Sequence, residues 1–274
     1  MEQQRPNRLT GFITLCALVF LFAPLVVVVL FSFHSTNALT PPFEGFSLRW
    51  YDEVLSDRTI REALLTSLKI ASLTSLATLL CGTAAAYGIT RTQARVRGLY
   101  ASLFVIPIAM PALILGVALR SFYVDRGISL STTTVVIAHT VFVIPLFYVV
   151  AQTALGRIEV AQLEAAADLG APPWYRFRRV ILPEVLPVLL AGAAMAFVIS
   201  FDEFIVTFFV IGNDSTLPMV IFSRLRRVID PSINAISSLL LFLNLTIWLI
   251  ALLYSLRVQR RRRLDQLAQK EDVL

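Results

Sequence analysis

The sequence predicts an all-α membrane protein with six transmembrane helices and both ends on one side of the bilayer. Three observations carry that expectation. Of 274 residues, 57% are hydrophobic and only 15% charged, with a mean hydropathy of +0.75, whereas a soluble domain of this length would cover its outside with far more charge. Six stretches approach the roughly 20 apolar residues that a helix needs to cross the hydrocarbon core at about 1.5 Å per residue. Basic residues gather on one side of those stretches.

In chain order, the expected spans are residues 11–33, 63–89, 99–119, 132–150, 185–211 and 233–256, within a single transmembrane domain covering 1–274. The first, third and sixth contain no charged residue. The second carries only Lys69, the fourth only His139, and the fifth the adjacent pair Asp202 and Glu203. The first run is too long for a signal-peptide core and ends at His34, Ser35 and Thr36 without a small-x-small cleavage site, so it reads as a retained helix. Cys16 and Cys81 lie inside apolar runs, as packing residues rather than a disulfide or metal pair. The segment 34–62 reads as a polar outer loop, with Pro41, Pro42 and Gly45 as turn-formers and Trp50 and Tyr51 where interfacial aromatics sit.

Fifteen of the 24 basic residues fall on the side holding the amino terminus and the loops after even-numbered spans, which the positive-inside bias assigns to the cytoplasm. Arg5, Arg8, Arg91, Arg95, Arg97, Arg157, Arg176, Arg178, Arg179 and the tail from Arg257 are among them. Arg224, Arg226 and Arg227 fall on the other side, in a segment at 217–229 patterned as an amphipathic surface helix. A solvated face and a partner contact both fit that cluster. The net charge of +6 is accounted for by these loops, and no aromatic-basic platform points to nucleic acid.

The loop between the fourth and fifth spans, 157–183, carries the sharpest pattern. Residues 159–170 read as a strong helix former closed by Gly170, with Ala161, Ala165 and Ala166 as a small-residue face flanked by acids. Pro172 and Pro173 then start a second short helix, over 174–180, before Leu182-Pro183. A phosphate-binding loop needs a Gly-Lys pair, and the two lysines, Lys69 and Lys270, both lack a preceding glycine. No HExxH or GxSxG pattern occurs, and His34 and His139 stand in separate regions. His139 reads either as a hydrogen-bonded interior residue or as a proton relay.

Glu164-Ala165-Ala166, then Gly170, then Val180-Ile181-Leu182-Pro183 resembles the EAA loop of ABC-importer permeases, with valine at 180 where the family usually has isoleucine. The sequences Ile106-Pro107-Ile108-Ala109-Met110-Pro111, Ser200-Phe201-Asp202-Glu203 and Leu217-Pro218 are similar to permeases of the spermidine/putrescine type. The resemblance covers roughly the whole chain. It implies a type I importer permease fold in a bacterial inner membrane, with Glu164, Ala165, Ala166, Gly170, Leu182 and Pro183 coupling the chain to an ATPase. The implied partners are a second permease, two ATP-binding subunits that hold ATP and Mg, and an extracytoplasmic solute-binding protein. No cofactor is expected on this chain.

Ionisable groups within a span are costly enough to suggest function. Asp202 and Glu203 therefore read as the lining of a path for a polyamine-like cation, or as a structural ion pair with Arg120 or Lys69. Successive helix positions point about 100° apart, so the two acids need not share one role. Tyr87, Phe142 and Tyr148 are candidates for cation-π contacts. Two other readings stay open: an importer of the same build for an amino acid, opine or ferric ion, and a proton-coupled secondary carrier using Asp202, Glu203 or His139.

Overall fold

A computed structural model of the chain describes residues 8–36, 43–227 and 231–271. Pro41, Pro42, Val228 and Ile229 lie outside them, as do the side chains of Arg227 and of residues 258–271. The described residues form twelve α-helices, with five long and apolar enough to cross a membrane, or six if one bent pair counts as a single span.

The chain divides into two compact units. The first comprises residues 1–62 and 220–243. Its α1 (Arg8–Phe31) is apolar nearly throughout and exposed along most of its length, as suits a helix whose solvent is hydrocarbon. The segment expected as an outer loop contains a helix of its own, α2 (Arg49–Ser56). Trp50 and Val54, one turn apart, form its buried face. Trp50 is thus interior rather than interfacial, donating its indole N–H to the carbonyl of His34 at 2.7 Å. The Tyr51 hydroxyl joins Ser32 Oγ (2.6 Å) and Ser238 Oγ (2.8 Å).

Asp57 ends α2 and caps the next helix, accepting the N–H of Thr59 at 2.7 Å. It also pairs with Arg224 of α11 (Leu217–Arg227). Burial pushes the Asp57 carboxyl up, but hydrogen bonds from Arg224 and the N–H groups of Ile60 and Thr59, with the Arg224 charge, outweigh it and hold the group below its ordinary value. Arg226 stacks over Phe222 at 4.4 Å. Part of the outlying basic cluster is therefore tied up within the chain.

The second unit, residues 63–219 and 244–274, holds the main helix bundle. Its helices are most of α3 (Arg58–Thr90), α4 (Ala94–Val105), α5 (Ala112–Asp125), α6 (Thr132–Leu155), α7 (Val160–Asp168), α8 (Pro173–Arg176), α9 (Leu182–Asp202), α10 (Ile205–Val210) and the later part of α12 (Ser232–Glu271). One core cluster centres on Phe147, wholly buried between Gly82 and Gly192, where an added Cβ would come within 2.5 and 3.1 Å of its ring. Small residues let membrane helices approach this closely and gain dispersion energy that lipid does not supply. A second cluster joins Leu115 of α5 and Val135 and Ala138 of α6 to Val206 and Val210 of α10. Cys16 and Cys81 are free thiols, and both are exposed rather than packed inside.

Two expected spans are not single helices. The stretch 99–119 runs from α4 through a 3-10 turn (Ile106–Ala109) into α5, with a 101° bend. Pro111 is the cause: its ring disfavours helical backbone at Met110, which is extended at ψ 125°. The stretch 185–211 stops at Asp202, and α10 follows after Glu203 and Phe204.

Candidate functional site

Asp202 and Glu203 stand at that second break, and the break separates their roles. Asp202 is exposed, and both its carboxylate oxygens accept from the side-chain amide of Asn244 on α12, at 3.2 and 2.9 Å. The amide's other atom, Asn244 Oδ1, is buried and has no hydrogen-bond donor among the described residues. Glu203 is half-buried and turns back onto the chain, where its Oε1 accepts the N–H of Val206 at 2.7 Å and so caps α10.

Neither acid forms the ion pair considered from sequence. Arg120 donates instead to the carbonyl of Phe209 at 2.9 Å, and Lys69 is exposed with no ion pair among the described residues. The structural ion-pair reading with Arg120 or Lys69 therefore falls. The physical reason lies in α10, a six-residue helix whose end groups need partners inside a span. Glu203 serves its N-terminus. Arg120 and Thr134, the latter donating to the carbonyl of Val210 at 2.7 Å, serve its C-terminus. Gly116 lets α5 come near enough for this, since a Cβ there would meet Phe209 Cδ2 at 2.9 Å and Val206 Cα at 3.3 Å.

His139, on α6, is 1% exposed and bridges Ser200 Oγ and Thr207 Oγ1, each at 2.8 Å. Its place as a hydrogen-bonded interior residue is plain, and no carboxylate touches its ring among the described contacts. Of the aromatic candidates, Tyr87 packs against Phe177 at 4.8 Å with the rings tilted by 54°, and Arg91 lies over its ring. Tyr148 is buried against Phe104 at 4.9 Å, and Phe142 packs against the α5–α10 cluster. None of the three joins Asp202.

The loop 157–183 lies at the other end of α9, about 30 Å from Asp202 by helical rise. Helix α7 ends in a Schellman turn in which the N–H of Ala171 bonds the carbonyl of Ala166 (3.0 Å) and that of Gly170 the carbonyl of Ala167 (2.8 Å). Gly170 has φ +78°, the left-handed conformation that turn requires. Glu164 and Ala165 are exposed and Ala166 half-buried, while Leu163 and Ile158 pin α7 to the core cluster. The short helix expected over 174–180 does not stop at Leu182-Pro183. It passes through a π-turn (Phe177–Ile181) into α9, because Pro183 lacks an N–H and its ring crowds the carbonyl one turn back. Leu182 packs against the core, and Pro183 is exposed.

Sequence reasoning missed Asn244, which sits in an apolar span like any tolerated amide. It also missed the apolar rim of the loop, where Leu169 is 89% and Trp174 68% exposed. Apolar side chains so placed call for a covering partner.

The family model described as binding-protein-dependent transport system inner membrane component matches residues 78–263. The chain is 34% identical over 266 residues to the putrescine transport system permease protein PotI of Escherichia coli strain K12, covering 92% of each. Identity is 28% over 236 residues to the spermidine/putrescine transport system permease protein PotC of the same strain, covering 86% of this chain and 89% of that one. It is 30% over 214 residues to the putative 2-aminoethylphosphonate transport system permease protein PhnV of Salmonella typhimurium strain LT2, covering 77% and 80%. Among solved structures, the fold matches a chain of a bacterial alginate ABC transporter in complex with alginate pentasaccharide-bound periplasmic protein, with a TM-score of 0.71 at 15% identity, covering 92% and 93%. It also matches the inward-facing MetNI methionine ABC transporter, with a TM-score of 0.60 at 19% identity, covering 74% and 95%.

Proposed function

The chain belongs to the binding-protein-dependent transport system inner membrane component family, as a multi-pass permease subunit of an ABC importer, and from that premise we propose that its solute is a polyamine-like cation steered by Asp202. The observation that carries the proposal is a carboxylate at the helix break that ends the apolar stretch Pro173–Asp202, exposed, with no cationic partner among the described residues and the neutral Asn244 amide against it. At an effective dielectric of about 20, such a carboxylate attracts an ammonium group at 4 Å by about 4 kcal/mol, and it repels anions. The relatives named for putrescine and for spermidine/putrescine support a cationic solute, since these polyamines are polyammonium ions at neutral pH, whereas the relative named for 2-aminoethylphosphonate has a solute whose ammonium is offset by an anionic phosphonate.

In the complex, the loop 157–183 docks an ATP-binding subunit. Glu164, Ala165 and Ala166 present the helix face, and Gly170 sets its angle. Exposed Leu169 and Trp174 widen the contact, while Leu182 and Pro183 join the loop to α9, which carries its motion toward the break. The assembly is two permeases, two ATP-binding subunits and an external binding protein, with both termini of this chain cytoplasmic. The acids serve a binding-protein-fed path rather than a proton-coupled carrier, and His139 meets only neutral hydroxyls.

The test is ATP-driven uptake of radiolabelled putrescine, normalised to assembled transporter. Asp202→Asn should lower uptake by roughly tenfold or more with assembly intact. Adding Arg120→Gln should bring no rescue, because Arg120 serves the Phe209 carbonyl. Normal uptake per assembled complex in Asp202→Asn would overturn the cation reading.

A further inference from the structure

The break between α9 and α10 has no proline or glycine to cause it, for residues 200–207 read Ser-Phe-Asp-Glu-Phe-Ile-Val-Thr. Side-chain hydrogen bonds hold it, and their directions can be worked out. The Thr207 hydroxyl donates to the carbonyl of Glu203 at 2.8 Å, an acceptor that has no hydrogen to give. Its single proton is thereby spent, so toward His139 it accepts, and His139 Nε2 carries the hydrogen. His139 Nδ1 is then the bare nitrogen, and it accepts from the Ser200 hydroxyl. The chain of bonds runs one way: Ser200 to His139, His139 to Thr207, Thr207 to the Glu203 carbonyl. All three side chains are buried, at 3%, 1% and 0% exposure. The imidazole therefore ties the last turn of α9, two residues before Asp202, to α10, whose first turn Glu203 caps.

We propose that His139 is a positioning residue for solute selection: by bridging Ser200 and Thr207 across the break it keeps α9 from continuing as one helix and so fixes where Asp202 is presented. This rests on the reading of Asp202 as the cation-steering group. The relay needs one donor and one acceptor at fixed separation. Glutamine supplies both, and leucine supplies neither.

The experiment uses the complete reconstituted transporter in a Cys16→Ser/Cys81→Ser background, with Asp202→Cys as a reporter and Thr153→Cys, exposed on α6, as a control. The rate of labelling by a cationic thiosulfonate is measured with His139, His139→Leu and His139→Gln. Labelling at 202 should fall at least about tenfold in His139→Leu, as expected when two buried hydrogen bonds are lost. It should recover in His139→Gln, with Thr153→Cys unchanged throughout. With Asp202 intact, putrescine uptake per assembled complex should follow the same order. Unchanged labelling at 202 in His139→Leu overturns the proposal, and so does an equal loss of assembly in the leucine and glutamine variants, which would make His139 a packing residue. The two readings fail separately: if Asp202→Asn leaves uptake normal, the cation reading is wrong, whereas if it impairs uptake while His139→Leu changes neither labelling nor uptake, only the positioning role is wrong.

Discussion

Replacing Gly170 by valine isolates a backbone effect in the loop 157–183, proposed above to dock the ATP-binding subunit. Gly170 sits at φ +78°, and an added Cβ would have nothing within 4 Å. Within the chain the added Cβ gains and loses no contact, so the penalty there is conformational. An L side chain in the left-handed region costs about 1–2 kcal/mol, which lowers the ratio of formed to unformed turn by a factor of about 5–30. Two hydrogen bonds depend on that turn, Ala171 N–H to Ala166 and Gly170 N–H to Ala167, and with them the angle at which α7 leaves the bundle. In proteoliposomes holding the full transporter, ATP-driven putrescine uptake by Gly170→Val should fall, by up to that factor, while membrane insertion persists. Gly170→Asn should lose much less, because asparagine tolerates the left-handed region. Uptake by Gly170→Val at the wild-type rate would refute the coupling role. A loss in Gly170→Asn as deep as in Gly170→Val would refute the conformational argument.

Two further outcomes are expected. The Asp57 carboxyl is held below its ordinary value of 3.8, so the stability it lends is complete above that pH and is lost as the pH falls below 3.8 through the folded-state value. The unfolding midpoint of the purified chain in detergent should show this acid-side loss, and Asp57→Asn should be less stable above pH 3.8 and lack the dependence at this site. By the positive-inside bias, the basic tail from Arg257 is expected to keep the carboxyl end in the cytoplasm. Alkaline phosphatase fused after Leu274 should be inactive, and periplasmic activity there would overturn the six-span topology.

The helical membrane class and the capped helix of the loop 157–183 were legible in the sequence because both rest on local rules. A run of some twenty apolar residues has few stable states but a helix in lipid. Likewise, a glycine after an alanine-rich helix announces a left-handed cap whatever surrounds it, and Gly170 adopts it. The bend at Met110-Pro111 belongs with these, for proline dictates the conformation of the residue before it. What stayed hidden depends on partners far apart in the chain. Nothing local marks residues 203 and 204 as non-helical; Glu203 capping Val206, and His139 reaching from α6 to Ser200 and Thr207, stabilise the break, while Thr134 holds the far end of α10. Arg120, a plausible counter-ion by charge alone, is claimed by the Phe209 carbonyl in the last turn of α10. Asn244, 42 residues from Asp202, looked like one amide in an apolar helix. Hydropathy and helix propensity report what a residue does to its own neighbourhood, whereas the partner of a buried polar group is chosen by which helices pack together, and that is settled only in three dimensions.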